Sequence, residues 1–254
     1  MIACARMYAA SPAAAAAWRA LFGHVAAVSG VPLDVIDHAY PAPLPGLWAR
    51  DDLACAFMCG WPFARGGFRH QLVAAPVPDA AWSTGAAYRS EFLVAAGSSF
   101  QSLADLSGSR FAYNSADSHS GWNMPRAHFG AIAGLRFAGM VGPLTTPRRC
   151  VEAVAEGRAE LTAVDSYALQ LLRRHDPALA ARVRTIGASP PSPIPPLVAA
   201  PGLPADRVAA LRASLAALTA PALLDPLCLR GFALVDPMAY EATMLPADPA
   251  GALG

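Results

Sequence analysis

Two kinds of apolar pattern alternate along this chain. Residues 53–59 form a continuous apolar run, which is typical of a strand that is buried on both faces. By contrast, the segment that follows Ser11-Pro12 has apolar residues at helical spacing and ends at Gly30. A serine cap, a proline at the first helical position and a final glycine predict a helix there. The pattern therefore predicts an α/β protein.

The predicted elements cover most of the chain. Strands are predicted at residues 1–8, 31–37, 53–59, 71–77, 91–95, 110–113, 161–164, 183–186 and 197–200. Helices are predicted at residues 12–30, 103–106, 122–134, 147–157, 166–174 and 205–218, with shorter pieces around Leu223 and Tyr240. Such alternation gives parallel sheets covered by helices, and these sheets bind ligands at the carboxyl ends of their strands.

A polar loop follows the strand predicted at 110–113. Its sequence is D-S-H-S-G at 117–121. Small hydroxyl residues and a glycine at a helix start leave backbone N–H groups unpaired. Together with the hydroxyls of Ser118 and Ser120 and the positive end of the helix dipole, these groups would form an anion site. The alternative is that Ser118 or Ser120 only caps the helix.

Charge and composition exclude several classes of function. The 254 residues carry a net charge of +1, whereas a nucleic-acid-binding protein needs a concentrated basic surface. All 19 basic residues are arginine, which excludes Schiff-base and P-loop lysine chemistry. Every apolar run is interrupted before it reaches about 18 residues, the length that a membrane-spanning helix needs.

The cysteines and the N-terminus lead to expectations about the compartment. An odd number of cysteines without framework spacing favours buried free thiols. These cysteines are Cys4, Cys55, Cys59, Cys150 and Cys228. The first residues lack the pattern of a signal peptide, because Tyr8 and Ser11-Pro12 interrupt the apolar run. The sequence as given therefore favours a cytoplasmic location.

Six segments, in the right order, resemble those of a known family. They are residues 6–8, 52–63, 88–94, 102–112, 117–121 and 153–165. The set is similar to the solute-binding proteins of phosphate/phosphonate-type ABC importers, a branch of the type II periplasmic binding fold. The loop at 117–121 resembles the phosphonate loop of that family, in which the middle residue is commonly threonine.

The resemblance implies a two-lobed α/β fold with two crossing segments. Lobe 1 would combine residues 1–90 with residues 188–254, and lobe 2 would be residues 91–187. Each lobe would be a mostly parallel sheet flanked by helices, with the ligand cleft between the lobes. The cleft would close on the ligand, so that the binding free energy stabilises the closed state.

The resemblance also implies where the ligand binds. The ligand-binding residues would be Tyr8, Cys59, Gly60, Tyr88, Ser118, His119, Ser120, Gly121, Trp122, Thr146 and Asp165. A phosphoryl-type group would sit on the loop at 118–121, with Tyr8 and Tyr88 offering hydroxyls and ring walls from the opposite lobe. The alternative for both tyrosines is a half-buried place in the core.

Asp165 bears on the choice of ligand. A carboxylate beside a dianion is repulsive, and a closed cleft screens that repulsion poorly. An amine on the ligand, or a proton shared between the ligand and the acid, would relieve it. Asp165 therefore favours an aminophosphonate or a partly protonated ligand. The alternative is that Asp165 caps the helix that begins at Ser166.

Several positions depart from the family pattern. Thr146, which can donate a hydroxyl, and Arg148 lie in a stretch where the family often has a histidine. His119 replaces the commoner threonine and would donate to the anion or point to solvent. Glu160 stands in place of the usual aspartate, and Trp122 either lines the cleft or packs against the sheet. These changes leave another small anion open as the ligand.

We therefore expect a solute-binding component of an ABC-type importer that captures a small phosphonate- or phosphate-like anion and is not an enzyme. It would be a monomer that works with an ABC permease, without nucleic acid, membrane insertion, cofactor or metal, and the resemblance implies the periplasm. One alternative is a cytoplasmic or sensory orphan that uses the same cleft. Another is a hydrolase or precursor-processing enzyme with Cys59 as nucleophile and His24, His38 or His70 as base.

Overall fold

Strands and helices alternate along the chain in the computed structural model, which describes residues 1–246. The strands are β1 Ile2–Cys4, β2 Asp34–Val35, β3 Leu53–Phe57, β4 Gln71–Pro78, β5 Ala87–Tyr88, β6 Ser90–Ala95, β7 Arg110–Ala112, β8 Gly139–Val141, β9 Leu161–Asp165, β10 Val183–Ala188, β11 Ser192–Pro193, β12 Leu197–Ala199 and β13 Leu229–Ala233. The helices are α1 Pro12–Ser29, α2 Leu44–Trp48, α3 Gly60–Arg65, α4 Met124–Gly130, α5 Pro147–Ala155, α6 Ser166–His175, α7 Pro177–Ala180, α8 Ala205–Ala216 and α9 Pro221–Leu224. Shorter 3-10 turns lie at Arg6–Tyr8, Leu103–Leu106, Asp225–Leu227 and Pro237–Thr243, and a π-helical turn at His119–Asn123.

The clearest sequence patterns predicted their elements correctly. β3 is buried at every position, as its apolar run predicts. α1 begins after Ser11, whose side chain accepts a hydrogen bond from the N–H of Ala14. It ends at Gly30, which adopts the left-handed conformation with φ of 69°. On the buried face of α1, Trp18 packs edge-to-face against Phe57, with 4.9 Å between the ring centroids.

The chain divides into two compact units. Unit 1 consists of Met1–Ala87 and Pro193–Glu241. Unit 2 consists of Tyr88–Ser192 and the described residues from Ala242 onward. The chain therefore passes between the units after residues 87, 192 and 241.

The sequence-based division differs from these units in detail. It placed the passages after residues 90 and 187 and assigned residues 188–254 to lobe 1, of which residues 247–254 lie outside the described residues. In the structure, Tyr88 groups with unit 2, and so do the residues that follow Glu241. Several residues next to the passages, which the sequence-based division assigned to lobe 1, thus belong to unit 2.

The sheet of unit 1 has the strand order β13-β4-β12-β3-β1-β2. β1 runs parallel to β2 and β3. β12 lies antiparallel between β3 and β4, and β13 is antiparallel to β4 at one edge. Helices α1 and α8 pack against each other, and α8 lies against β4. This arrangement buries the aromatic core around Trp18 and Phe57.

The sheet of unit 2 has the strand order β10-β6-β9-β7-β8. β7 runs parallel to both β8 and β9, whereas β6 is antiparallel to β9 and β10. α5 packs against β6 and β9. Phe92, Phe111 and Phe129 lie at the centre of a buried cluster in this unit.

Both sheets are mixed. The predicted α/β architecture with helix-flanked sheets is confirmed, but the expectation of mostly parallel sheets is wrong. Besides the edge strand β13, which is antiparallel to β4, the strands responsible are β6 and β12, each of which follows a passage of the chain between the units and lies antiparallel to both of its neighbours. A right-handed crossover through a helix makes a strand parallel to its predecessor, and these two strands are not reached in that way.

Some boundaries and short elements differ from the prediction. The first strand ends at Cys4, and Arg6–Tyr8 forms a 3-10 turn where strand was predicted. The helix predicted at 122–134 begins with the π-helical turn, and α4 ends at Gly130. No structure was predicted for α2, α3, α7, β5, β8 or β11, because elements this short show too little periodicity, and β13 was not predicted either.

The cysteines are free thiols, as predicted. Cys4, Cys55, Cys59 and Cys150 are buried, and Cys228 is partly exposed. Burial raises the pKa of the Cys150 thiol to about 12 and raises that of Cys55 as well. Both groups therefore stay protonated and unreactive at neutral pH.

Over residues 1–246, no single helix combines the length and the apolar character that a membrane span requires. One pair, Ala205–Ala216 with Pro221–Leu227, reaches both only when its two parts are counted together across a bend of 103°.

The core of unit 1 yields a prediction about Trp18, whose indole N–H is buried without a hydrogen-bond partner in the described chain. Trp18→Ala should lower the free energy of unfolding by about 3–5 kcal/mol, because it leaves a large cavity. Trp18→Phe should cost less than about 1.5 kcal/mol, because it keeps the aromatic packing and removes an unpaired donor. Urea unfolding measures both changes. Equal losses in the two variants would contradict this account.

Candidate functional site

Three helices of unit 2 begin at the same edge of its sheet. β7 lies between its parallel neighbours β9 and β8, so the carboxyl ends of the three strands meet at one edge. The chain after β7 leads through Ser118 into the π-helical turn and α4. The chain after β8 leads through Thr146 into α5, and β9 leads at Asp165 directly into α6. Three predicted site residues therefore lie at the N-terminal caps of three helices.

Two of these caps are hydroxyl groups. The Ser118 hydroxyl accepts a hydrogen bond from the N–H of Gly121 at 3.1 Å. The Thr146 hydroxyl accepts one from the N–H of Arg149 at 3.2 Å. Each cap satisfies one N–H group that the helix itself leaves without an acceptor. Ser118 therefore caps the turn, whereas its contact with an anion stays a prediction, and each hydroxyl retains its own hydrogen for donation.

Asp165 caps α6 with its carboxylate. Its Oδ1 accepts hydrogen bonds from the N–H groups of Tyr167 at 2.7 Å and Ala168 at 3.2 Å. The residue is only 4% exposed. The capping alternative for Asp165 is therefore confirmed, whereas its contact with a ligand stays a prediction.

The loops that follow β7 and β8 are tied together by backbone hydrogen bonds. The N–H of Tyr113 donates to the carbonyl of Val141, and the N–H of Leu144 donates back to the carbonyl of Tyr113. The N–H of Thr145 donates to the carbonyl of Asn114 at 2.6 Å. These bonds fix the polar loop relative to the segment that carries the second cap.

The π-helical turn requires a glycine at position 121. A Cβ atom there would lie 2.1 Å from Oδ1 of Asn114 and 3.3 Å from the Ser118 hydroxyl oxygen. The Asn114 oxygen is itself buried and has no hydrogen-bond partner within residues 1–246. Gly121 therefore allows the amide of Asn114 to pack directly against the backbone of the turn.

Ser120 differs from its neighbours because its donors are uncommitted. Over the described part of the chain, neither its N–H nor its hydroxyl has a hydrogen-bond partner. The residue is nevertheless only 8% exposed. An anion at the helix start would accept hydrogen bonds from both groups.

His119 is buried in this turn, and the expectation that it points to solvent is wrong. Its ring is 1% exposed, and its Nδ1 lies 2.9 Å from the amide nitrogen of Asn123. Its Nε2 lies 3.2 Å from the hydroxyl of Ser192. Because the Asn123 amide donates to Nδ1, we assign the ring proton to Nε2, which then faces Ser192. Burial lowers the pKa of His119 to about 4, so the ring is neutral at pH 7.

The aromatic candidates of unit 2 pack inside it. Tyr88 is 2% exposed, and its ring stands edge-to-face to that of His119, with 6.4 Å between the centroids. Trp122 is partly exposed and packs on Tyr113, with 4.7 Å between the ring centroids. Trp122 therefore packs against the sheet, which was one of the two expectations for it. Tyr88 is more deeply buried than the half-buried alternative supposed.

The candidates of unit 1 lie at the corresponding edge of their own sheet. Tyr8 follows β1, and Cys59 and Gly60 follow β3, its parallel neighbour. Tyr8 is 1% exposed and stands edge-to-face to Phe57, at 4.7 Å between ring centroids. Cys59 precedes α3, and Gly60 is its first residue. A contact of any of the three with a ligand stays a prediction.

Arg148 forms ion pairs with carboxylates, so its charge is not available to bind an anion. Its guanidinium pairs with Glu152 at 2.9 Å and with Asp176 at 2.7 Å. Glu160, in turn, pairs with Arg110 at 2.6 Å. Among residues 1–246 there is also no group of His, Cys, Asp and Glu side chains that could hold a metal ion.

Three polar residues close to the π-helical turn were not predicted from the sequence. Asn114 and Asn123 are polar residues in and after the loop, and Ser192 lies in a proline-rich stretch far along the chain. Asn123 stands four residues after His119, a spacing that places two side chains on one face of a helix. That spacing was the available signal, whereas nothing in the sequence links Ser192 to the turn.

The comparison with protein families concerns nearly the whole described chain. A family model described as "ABC transporter, phosphonate, periplasmic substrate-binding protein" matches residues 8–240. The chain belongs to this family. Membership confirms the predicted function, a phosphonate-class solute-binding component of ABC transporters, and does not favour an orphan binder or a hydrolase. The phosphonate-binding family is a transport family rather than a class of enzymes, and it is described as periplasmic.

Solved structures show the same fold. The chain is similar to a binding protein component of an ABC phosphonate transporter from Pseudomonas aeruginosa, with 17% identity and a TM-score of 0.77 over 96% of this chain and 84% of that one. It is similar to PhnD1 from Prochlorococcus marinus in complex with methylphosphonate, with 15% identity and a TM-score of 0.80 over 96% and 95% of the chains.

A more distant similarity extends to the GluR0 ligand-binding core from Nostoc punctiforme in complex with L-glutamate, with 13% identity and a TM-score of 0.56 over 96% of both chains. At such identities these similarities establish the type II periplasmic binding fold that the phosphonate-binding family was expected to have. No curated protein matches the chain in sequence.

The contact between Gly121 and Asn114 yields a prediction about the turn. Gly121→Ala should lower the free energy of unfolding by about 1–3 kcal/mol, because the added methyl group overlaps the Asn114 amide. In the double variant Asn114→Ala/Gly121→Ala most of this loss should disappear. Gly139→Ala is the matched control, since a Cβ atom at Gly139 meets nothing within 4 Å. Additive losses in a urea-unfolding double-mutant cycle would disprove the contact.

The buried, neutral His119 yields a prediction about pH. Its pKa is lower in the folded protein than in the unfolded chain, so the unfolded state takes up the proton first as the pH falls. Between pH 6.5 and 4 the protein should lose about 3 kcal/mol more stability than His119→Gln, which cannot titrate. Chemical unfolding at several pH values measures the difference. Parallel pH profiles for the two proteins would contradict the assignment of a buried neutral ring.

Proposed function

We propose that this chain captures a small phosphonate- or phosphate-like anion at residues 118–121 and presents it to an ABC permease. The observation that carries the proposal is the buried Ser120, whose N–H and hydroxyl have no partner in the described chain. Both lie at the start of a helical segment that continues through α4, where the helix dipole favours negative charge. An anion there would replace the missing acceptor.

Neutral donors would provide most of the recognition. His119 is uncharged at neutral pH, and Arg148 is already paired with two carboxylates. Other donors at the sheet edge are hydroxyls and backbone N–H groups, including the hydroxyl hydrogens of Ser118 and Thr146. Such groups bind an oxyanion through directed hydrogen bonds rather than through an opposite charge.

Two carboxylates close to this edge favour a particular form of the ligand. Asp117 precedes Ser118 and accepts a hydrogen bond from Ser115 at 2.5 Å, and the buried Asp165 caps the adjacent helix. A fully ionised dianion would be repelled by both carboxylates. We therefore propose a ligand that carries an amine or retains a proton on its phosphoryl group. The methylphosphonate complex of PhnD1 supports the inclusion of simple alkylphosphonates among the candidates.

The remaining expectations about the ligand stay part of the proposal. Contacts from Tyr8, Cys59, Gly60 and Tyr88, and capture by closure of a cleft, are proposed from the resemblance. We also propose that the chain works as a monomer in the periplasm and binds without turnover. The Nε2 atoms of two histidines that the hydrolase alternative needs as bases lie within hydrogen-bond distance of backbone carbonyls: His38 at 3.0 Å from Pro43, and His70 at 2.8 Å from Trp48.

Calorimetric titration tests the proposal with phosphate, phosphite, methylphosphonate, aminomethylphosphonate and sulfate as probes. Ser120→Ala should keep the melting temperature of the wild type, because Ser120 supports no other group, yet weaken the affinity for the best probe by about 10-fold or more. Ser99→Ala, an exposed serine of the same unit, is the matched control. Varying the amine on the ligand tests Asp165 more cleanly than a substitution, which would also remove a helix cap.

Two results would count against the proposal. The first is binding of a probe that Ser120→Ala leaves as tight as in the wild type, which would exclude the turn as the anion site. The second is absence of binding for every anion in the panel, which would reject the ligand class.

A further inference from the structure

The chain enters or leaves unit 2 at three places. Residues at all three places contact the same two side chains, those of His119 and Asn123. Tyr88 is the first residue of unit 2, Ser192 is the last residue before the second passage, and Thr243 is the second residue after the third. The ring of His119 stands edge-to-face to Tyr88, and its Nε2 lies 3.2 Å from the hydroxyl of Ser192. His119 therefore contacts two of the three passages.

Asn123 contacts the third passage of the chain. Its amide nitrogen donates to the carbonyl of Thr243 at 2.8 Å and lies 2.9 Å from Nδ1 of His119. On its other side, its Oδ1 accepts a hydrogen bond from Arg126 at 3.3 Å. One amide thus connects the third passage to the histidine that contacts the other two.

The contacts are deeply buried, which makes them costly to break. Exposure is 1% for His119, 0% for Asn123 and Thr243, 2% for Tyr88 and 6% for Ser192. A buried hydrogen-bonding group that loses its partner costs its full desolvation free energy, so the members hold each other in one arrangement.

The same pair belongs to the turn proposed to hold the anion. His119 lies between Ser118 and Ser120, and Asn123 is the last residue of the π-helical turn. The N–H of Asn123 donates to the carbonyl of Ser118, closing the turn from behind. A shift of the turn would therefore move the side chains that contact the three passages.

We propose that His119 and Asn123 are positioning residues that couple the geometry of the anion-binding turn to the three segments through which the chain enters and leaves unit 2. They contact those segments with their side chains, while the backbone of the same turn presents donors to the ligand. This inference rests on the proposed function of the turn for its role in binding. The contacts themselves do not depend on it.

The first arm of the test follows hydrogen exchange in the ligand-free protein. His119→Leu and Asn123→Leu remove the hydrogen bonds while keeping a side chain of similar size. Exchange should become at least tenfold faster in peptides that cover residues 86–92, 187–194 and 240–246. Val154→Ala, a core substitution in α5, is the matched control, because it leaves a cavity in a buried cluster that contains neither the pair nor any residue of the three segments. Unchanged exchange in these three segments would overturn the proposal.

The second arm measures affinity and rescue, with methylphosphonate and phosphate as probes. His119→Leu should bind the better probe at least tenfold more weakly than Val154→Ala. His119→Gln should remain within about threefold of the wild type, since its amide both accepts and donates as the ring does. A merely structural role would instead make affinity follow thermal stability in all variants, and that result would overturn the coupling.

The two arms of the test distinguish the proposed function from the proposed coupling. If the wild type binds neither these probes nor any other anion of the panel, the proposed function fails, and the exchange arm still decides whether the pair positions the segments. If the wild type binds and His119→Leu binds equally well, the proposed function stands and the coupling fails.

Discussion

A helix leaves its first N–H groups without acceptors, and this constraint organises the sheet edge of unit 2. Three helices begin there, after β7, β8 and β9, and each needs a cap. Thr146 and Asp165 satisfy the starts of α5 and α6 with their own oxygens. At the third start, the Ser118 hydroxyl satisfies Gly121, whereas Ser120 keeps its donors available. The difference between capped and uncapped donors therefore distinguishes the site proposed for the anion from its two neighbours.

The availability of those donors depends on tight packing behind the turn. Gly121 lets the Asn114 amide lie against the backbone, and any side chain at position 121 would overlap it. Behind the turn, Asn123 and His119 join it to residues that are distant in sequence. Such fixed geometry reduces the reorganisation that an incoming anion would require, and preorganised donors bind more tightly for that reason.

Much of the architecture could be predicted from local patterns. The buried run of β3 and the short helical turn Leu103–Leu106 were predicted within two residues. That turn has a capping box, in which Ser102 and Asp105 bond each other's backbone, so the signal lies within four residues. β13 was missed because Gly231, with φ of 149°, interrupts its pattern and the strand bends at a register shift. Edge strands with glycine lack the alternation on which such predictions depend.

The candidate site could be predicted only in part, because some of its residues contact residues that are distant in sequence. Ser118, Gly121 and Asp165 could be identified since a cap and a close approach are local requirements. The burial of His119 could not, because its partner Ser192 lies 73 residues away. The mixed sheets could not be predicted for a related reason. The directions of β6 and β12 depend on where the chain passes between the units and not on local sequence.

The buried ring of His119 also bears on how an anion can be recognised here. A protonated histidine would attract any anion, but burial keeps this ring neutral, and the nearby carboxylates Asp117 and Asp165 oppose a high negative charge. The donors identified at this edge are oriented N–H and O–H dipoles, whose strength depends on distance and angle. Interactions of buried groups are screened by salt much less than those between exposed charges. A site of this kind would therefore select ligands by the arrangement and protonation of their oxygens more than by net charge.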